Sequence, residues 1–363
     1  MRSASSRRRA PGLPGLRVGL ALCCVIAAAV GLGSSAGSAR PAPAVAHGDL
    51  FAPGRVTLLG QAGERRVRAA SWWGRSYSTS TGEAVTVDVS DSYPVDDAVG
   101  QAWADWFAGL VHGSELQLLH VHVATPVEVQ AVCGNAGALG CYGSNVMVVP
   151  GEAMEGVDPK MIATHEYGHH LAFNRLNPPW SSVDWGTKRW ASYANVCERS
   201  AAGSAYPGNE EAHYQQNPGE AFAETYRLLN ESKAGATNFI WPIVDWSFYP
   251  DAGALQAVEQ DVLQPWTTPT SKSLRARFPK GKRVWMLPLA TPLDGLLDVD
   301  VTLPAGAIDD VSVVAAGRVL VHGLWSAAHA KKLAYQICGQ RSLLLRVVRR
   351  GRPDSFALRI SQP

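Results

Sequence analysis

The chain has 363 residues, of which 46% are hydrophobic and 18% charged, and its formal net charge is +2. This composition is typical of a globular protein rather than a disordered or fibrous one, and the length leaves room for two ordinary domains. It gives no support for nucleic-acid binding, because no nucleic-acid-binding module is recognisable and the arginines are not interleaved with exposed aromatic residues.

Residues 1–46 have the features of a secretory signal peptide. They contain six arginines and no acid, then an apolar run from Val18 to Gly33, and they end in Ala44-Val45-Ala46, which fits the A-x-A cleavage pattern. An uncleaved membrane anchor is the alternative, but the run is shorter than the roughly 20 residues that span a bilayer. We therefore expect a secreted protein, and the rest of the chain has 27 basic and 31 acidic side chains, a net charge of −4.

Four cysteines lie beyond the signal segment, at Cys133, Cys141, Cys197 and Cys338. An even number of cysteines in a secreted chain favours disulfides, and four cysteines allow three pairings. The glycine-rich stretch between Cys133 and Cys141 can fold back on itself, so we favour that pair, which leaves Cys197 with Cys338. Two buried free thiols at Cys197 and Cys338 are the alternative.

Residues 47–266 alternate between strand-like and helix-like hydrophobic spacing, which indicates an α+β domain. In chain order the spacing predicts a strand at 83–89, a helix at 96–112, a β-like stretch at 118–132, a strand at 145–150, and helices at 159–176, 218–231 and 252–263. His120 and His122 share one face of the β-like stretch. We expect solvated or packed histidines there rather than a second metal site.

The pattern changes after residue 266. Residues 267–283 are polar, basic and interrupted by prolines, which predicts a linker, and 284–363 contain short β-rich runs that predict a small all-β sandwich. Residues 267–363 carry 15 basic and 6 acidic side chains, or +9, whereas 47–266 carry 12 and 25, or −13. We expect the basic half to contact an anionic surface such as a cell wall, and a solvated face without a partner is the alternative.

The helix predicted at 159–176 carries the clearest chemical motif. Asp158 and Pro159 form a favourable helix start, with aspartate as the cap and proline at the first helical position. His165 and His169 are four residues apart, so both imidazoles project from one face and can bind one zinc ion. Glu166 is placed to take a proton from zinc-bound water, as in the His-Glu-x-x-His arrangement.

Two further residues of this motif bear on its interpretation. Gly168 costs about 1 kcal/mol relative to alanine inside a helix, which indicates that another element approaches closely there. His170 has no place in the pattern, and we expect it to be solvated. The extended motif with a third histidine six residues after the second is absent, because Ala172 and Arg175 occupy the positions of its glycine and histidine. A metzincin site is therefore disfavoured.

A third ligand is needed, because catalytic zinc sites usually have three protein ligands and one open position. The stretch 217–227 places Glu220 and Glu224 on one face of a second helix. We favour Glu220 as the third ligand, and Asp184 and His213 are the alternatives.

Glu220 also has an explanation that involves no metal. With Asn217 as the cap and Pro218 at the first helical position, Glu220 stands at the third, so the three residues fit a capping box. The ligand interpretation becomes stronger only when the histidine helix is considered together with this one.

The two motifs together resemble the gluzincin group of zinc metallopeptidases, in which a glutamate from a second helix completes the site. The resemblance covers about residues 145–231. It implies an α+β zincin-like catalytic domain at 47–266, with Zn²⁺ bound by His165, His169 and Glu220 and with Glu166 as the general base. Glu224 then matches the acid that orients a ligand histidine through that residue's other ring nitrogen.

The resemblance also implies an oxyanion-stabilising residue and a strand that binds substrate. Tyr214, His213, Tyr193 and Tyr226 are candidates for the first role, and we favour Tyr214. Zincins generally place an edge strand just before the histidine helix, where its free backbone groups pair with an extended peptide. This implies an edge strand at 145–150, and a plain core strand is the alternative.

The sequence thus predicts a secreted zinc metallopeptidase that hydrolyses peptide bonds of a peptide or protein substrate with zinc-activated water. Its C-terminal segment resembles the β-sandwiches appended to secreted bacterial peptidases, which implies an accessory role for it. The alternative is a secreted or surface-attached adhesion protein whose metal site is structural or vestigial.

Overall fold

The computed structural model describes residues 57–327, 332–352 and 354–363, and the predicted signal peptide at 1–46 lies outside this range. The helices are α1 (Gln61–Ala69), α2 (Asp97–Ala108), α3 (Pro126–Cys133), α4 (Pro159–Phe173), α5 (Ser182–Trp185), α6 (Lys188–Tyr193), α7 (Val196–Ala201), α8 (Pro218–Lys233) and α9 (Ala252–Leu263). The strands of the first half are β1 (Thr57–Leu58), β2 (Trp72–Ser78), β3 (Ala84–Ser90), β4 (His120–Ala124), β5 (Cys141–Gly143) and β6 (Val146–Pro150).

The strands of the second half are β7 (Thr270–Arg277), β8 (Val284–Ala290), β9 (Gly295–Thr302), β10 (Ile308–Ala315), β11 (Arg318–Ser326), β12 (Lys332–Ile337), β13 (Ser342–Arg349) and β14 (Ser355–Gln362). Helices mixed with a sheet in the first half and all-β sheets in the second agree with an α+β part followed by a β-sandwich.

The first half is built on a six-stranded mixed sheet in the order β1-β5-β6-β4-β3-β2. Strands β3, β4 and β6 are parallel, while β2 pairs antiparallel with β3 and β5 pairs antiparallel with β6. Alternation along β4 directs side chains to two layers. Val121 and Val123 belong to the large core with α2 and α4, whereas Ala124 packs on the other face with Val129 and Val132 of α3.

Two local expectations for this sheet are wrong. The stretch 118–132 is a strand only as far as Ala124, because Thr125 and Glu128 form a capping box that starts α3 at Pro126. The strand expected at an edge at 145–150 is β6, and it lies inside the sheet, hydrogen-bonded to β4 on one side and β5 on the other. It is the core strand of the alternative, and its residues 146–148 are already paired on both sides.

The second half contains two four-stranded antiparallel sheets, in the orders β11-β10-β13-β8 and β12-β9-β14-β7. Their inward side chains form a separate hydrophobic core that includes Val299, Val311 and Leu345. Strand β7 lies within the segment expected to be a linker, where its residues 270–277 pair along the whole length of β14. Polar composition misled the prediction, because β7 is an edge strand with most of its side chains in solvent.

Both favoured disulfides are present. Cys133 joins Cys141 at the start of β5, and Cys197 of α7 joins Cys338 next to β12. Two disulfides are typical of an extracellular or otherwise oxidising environment. Within the described residues, no helix has both the length and the hydropathy needed to cross a bilayer.

Candidate metal centre

Helix α4 carries the histidine motif and is almost wholly buried. The Asp158 carboxylate accepts a hydrogen bond from the Lys160 amide at 2.7 Å, and Pro159 occupies the first turn, as the sequence predicts. The helix ends at Phe173, three residues before the predicted end, where the Asn174 side chain donates to the His170 carbonyl at 2.9 Å. The side chains from Ile162 to Ala172 are all buried, so the helix crosses the core instead of lying on the surface.

Helix α8 packs against α4 and carries the two glutamates. The Asn217 side chain accepts a hydrogen bond from the Gly219 amide at 3.0 Å, and Pro218 follows as the first helical residue. The capping box predicted as the alternative for Glu220 is not formed, because the Asn217 amide donates to the Tyr214 carbonyl at 3.0 Å. The Glu220 carboxylate turns instead toward α4.

The side chains of His165, His169 and Glu220 converge on one point between the two helices. The two Nε2 atoms of His165 and His169 are 3.2 Å apart. Glu220 Oε2 lies 3.2 Å from Nε2 of His165, and Glu220 Oε1 lies 3.4 Å from Nε2 of His169. Each of the three residues is at most 2% exposed.

These distances fit a bound metal ion. Ligands placed tetrahedrally at about 2.0 to 2.1 Å from one ion lie about 3.3 to 3.4 Å from each other, which matches the observed triangle. The group is one of two clusters of histidine and carboxylate side chains with metal-ligand geometry in the described part of the chain. A buried His-His-Glu group of this kind can hold a metal.

Glu224 holds His165 from the side opposite this point. Its Oε2 lies 2.9 Å from Nδ1 of His165, so a neutral His165 donates there and presents the Nε2 lone pair to Glu220 and His169. Burial lowers the pKa of His165, but the hydrogen bonds and charges of Glu220 and Glu224 outweigh it and raise that pKa to about 10. Binding a metal ion here therefore releases a proton.

Arg227 belongs to the site, although neither sequence motif includes it. Its guanidinium donates to both carboxylate oxygens of Glu224, at 2.7 and 2.9 Å, and so neutralises the acid that orients His165. The signal was readable, because an acid and an arginine three residues apart share one helix face. Glu210 is a second overlooked acid near the cluster, and burial together with the charge of Glu220 raises its pKa to about 8.

Glu166 is completely buried, and neither of its carboxyl oxygens has a hydrogen-bond partner among the described residues. Its side chain lies against Gly140, where an added Cβ would come within 2.7 Å of Glu166 Oε1. Burial raises the pKa of Glu166 well above its usual range, the charge of Glu220 adds to this, and the charge of His165 opposes it. A buried carboxyl without a partner is costly, which is typical of functional sites.

Among the expected oxyanion-stabilising residues, Tyr214 is in contact with the cluster. Its hydroxyl donates to Glu220 Oε2 at 2.8 Å. The other three candidates have their contacts elsewhere. Tyr193 donates a hydrogen bond to Asp251, Tyr226 donates one to the Val111 carbonyl, and the His213 ring stacks on Tyr206.

Three other expectations concern residues near the motif. Asp184 and His213, the alternative third ligands, belong to neither cluster with metal-ligand geometry in the described residues. His170 is not solvated as expected, because it is fully buried between Tyr142 and Glu115, with its Nε2 2.8 Å from the Glu115 carbonyl oxygen. Burial lowers the pKa of His170 to about 4, so it is a neutral packing residue.

No protein-family model and no curated protein matches the chain. Among solved structures, the chain is weakly similar to one described as "IMPa metallopeptidase in complex with T-antigen", with 9% sequence identity and a TM-score of 0.20. The similarity covers 67% of this chain and 37% of that one, so this chain matches well under half of that protein's length. A TM-score this low does not establish a shared fold.

Proposed function

We propose that the protein is a secreted zinc-dependent peptidase of the gluzincin type, with a zincin-like fold in its first half. The observation that carries the proposal is the buried triangle of His165, His169 and Glu220, whose donor atoms have the spacing of a tetrahedral zinc site. Two imidazoles and one carboxylate form the donor set that catalytic zinc sites use, which supports zinc over calcium or magnesium.

Each surrounding residue then has a chemical role. Bound zinc supplies a Lewis acid that polarises the scissile carbonyl and lowers the pKa of water. Glu166 takes a proton from the attacking water and later delivers it to the leaving amine. Its buried position raises its pKa, which suits a group that accepts and then releases a proton near neutral pH. Glu224 fixes the ring orientation of His165, and Tyr214 fixes the carboxylate of Glu220.

Glu166→Gln tests this function directly. The variant keeps the volume of the side chain and removes the base, so we expect hydrolysis of unfolded casein to fall at least about 100-fold at unchanged zinc content. Glu152→Gln, at an exposed glutamate, is the matched control and retains activity. Equal hydrolysis by wild type and Glu166→Gln would refute the assignment and favour an adhesion protein with a structural or vestigial metal site.

A second role, attachment to an anionic surface, is favoured by one feature of the sandwich. Strand β7 and the turn after it expose six cations along one edge of a sheet: Lys272, Arg275, Arg277, Lys280, Lys282 and Arg283. Desolvation costs little at such an edge, and several like charges together attract a polyanion.

Charge variants of the full chain test this attachment. We expect Lys272→Gln with Arg275→Gln to weaken binding to vesicles that contain phosphatidylglycerol, and added salt to weaken it further. Arg318→Gln with Arg352→Gln removes the same charge from exposed positions outside β7 and leaves most of the binding intact. Equal losses in the two double variants would show a net-charge effect and rule out a specific basic edge.

A further inference from the structure

A second cluster of metal-binding side chain types lies on the other face of the six-stranded sheet. Asp88 of β3 stands directly beside His122 of β4 in the parallel register, and His120 is two residues before His122 on the same face. This face is the one that carries Ala124 and α3, whereas α4 packs on the face with Val121 and Val123. The cluster is therefore separate from the candidate zinc centre.

The three side chains are close enough to share one ion. Their donor atoms all lie within 4.8 Å of one another. His120 Nε2 is 2.7 Å from Asp88 Oδ2, and His122 Nδ1 is 4.0 Å from the same oxygen. Ligands about 2.1 Å from an ion are separated by about 3.0 Å at right angles and about 4.2 Å when opposed, so small side-chain rotations bring all three to one ion.

His122 is the residue that a simple ion pair does not explain. It is 4% exposed, and its Nδ1 has no hydrogen-bond partner among the described residues, although it faces the Asp88 carboxylate. Its ring stacks on His120 at 4.4 Å and lies 4.7 Å from the Trp72 ring, which covers it. An unpartnered buried ring nitrogen beside a carboxylate and a second imidazole is the arrangement that a metal ion satisfies.

The neighbouring strand approaches the carboxylate closely and places no side chain beside it. Gly74 of β2 stands opposite Asp88 in the antiparallel register, and its φ of +148° is a conformation that side chains rarely adopt. An added Cβ at Gly74 would come within 3.0 Å of Asp88 Oδ1 and 2.1 Å of the Val87 carbonyl oxygen. The position next to Asp88 thus carries no side chain, and solvent reaches the carboxylate, whose side chain is 23% exposed.

We propose that Asp88, His120 and His122 bind a divalent transition-metal ion of the zinc and copper class, which favours two imidazole ligands with one carboxylate. The geometry supports binding, because the unpartnered Nδ1 of His122 faces the same carboxylate oxygen that His120 contacts.

An ion at this position links two adjacent parallel strands and lies under Trp72 of a third. It therefore stabilises the sheet on which α4 rests, without contact with the residues of the candidate zinc centre. Zinc or copper bound by this His-x-His pair and Asp88 needs no further protein ligand, because solvent that reaches His120 and Asp88 completes the coordination.

Zinc stoichiometry of the untagged full chain tests the proposal. After removal of bound metal and dialysis against Zn²⁺, we expect about two ions per chain in wild type and about one in His120→Gln. His120 is 39% exposed at its side chain, so this variant disturbs packing little. Asp88→Asn gives the same loss, and His322→Gln, at an exposed histidine of β11, retains both ions.

His169→Ala separates this site from the peptidase centre. We expect it to keep the ion that His120→Gln loses. If wild type holds one ion, and this ion is lost in His120→Gln but kept in His169→Ala, the result supports this site and contradicts the proposed function. If wild type holds one ion, and this ion is lost in His169→Ala but kept in His120→Gln, the result overturns the inference and leaves the proposed function intact.

Copper quenching gives a second readout at the same position. Cu²⁺ bound beside Trp72 quenches its fluorescence, so we expect less quenching in Trp72→Phe than in wild type. Adding His120→Gln to Trp72→Phe should then change the quenching no further. Full quenching in His120→Gln, at the copper concentration that saturates wild type, would overturn the assignment.

Discussion

Gly168 of α4 lies against Ala223 of α8 with no room for a side chain between them. A Cβ added to Gly168 would come within 2.5 Å of the Ala223 Cα and 2.9 Å of its Cβ. The two helices therefore touch backbone to backbone. The contact lies between the two histidines along α4 and between the two glutamates along α8. This contact sets the distance from His165 and His169 to Glu220, and it explains a glycine that costs helix stability.

Gly168→Ala is expected to force the helices apart. The added methyl group costs about 1 to 3 kcal/mol of unfolding free energy by overpacking, more than the helix propensity of alanine returns. Zinc affinity falls too, because the third ligand moves away from the histidines. Urea unfolding and zinc titration measure both effects. Ala223→Gly in the same chain restores space, so the double variant should regain zinc affinity; unchanged affinity in Gly168→Ala alone would refute the argument.

Glu224→Gln is expected to weaken zinc binding without removing a ligand. The amide no longer holds His165 as a charged acceptor, and loss of such a partner lowers metal affinity about 10-fold to 100-fold. Competition with a chelating dye measures the affinity. Glu231→Gln is the matched control, because Glu231 also pairs with Arg227 but does not contact His165. Equal affinities for Glu224→Gln and wild type would show that this hydrogen bond has no role in metal binding.

Asp309 of β10 is expected to make the stability of the protein depend on pH. It is 1% exposed, and burial, opposed only in part by Arg349, raises its pKa to about 6. A raised pKa means that the folded state holds this proton more tightly. The stabilisation is complete below the unfolded pKa of about 4 and is lost as pH rises through about 6, a change of roughly 3 kcal/mol.

Asp309→Asn removes this dependence. Compared with wild type, the variant should gain unfolding free energy as pH rises from 4 to 7, as measured by urea denaturation at a series of pH values. Asp310→Asn, at the neighbouring residue whose carboxylate pairs with Arg350, should show no such gain. A difference between Asp309→Asn and wild type that stays constant with pH would contradict the pKa shift.

The two site helices were predictable because their signals are local. Asp158 with Pro159, and Asn217 with Pro218, start α4 and α8 as their sequences indicate. The spacing of His165 and His169 places both rings on one face whatever surrounds them. The pairing of Cys133 with Cys141 was likewise readable from the short glycine-rich stretch between them.

What the sequence did not reveal depends on contacts between distant segments. The burial of His170 requires Glu115 and Tyr142, which are 55 and 28 residues away. The interior position of β6 follows from the pairing order of the sheet, which no local pattern specifies. The start of α3 is a different case, because Thr125 and Glu128 form a capping box that is visible in the sequence. The β-branched residues around this box favoured a longer strand instead.

The central claim is that Glu220 binds zinc with His165 and His169, and metal content tests it most directly. Zinc per chain is measured in wild type, Glu220→Ala and Asn217→Ala after dialysis at one zinc concentration. We predict that Glu220→Ala holds about one ion fewer than wild type, while Asn217→Ala loses about 1 kcal/mol of stability and keeps its zinc. Zinc content in Glu220→Ala equal to that of wild type would contradict the claim.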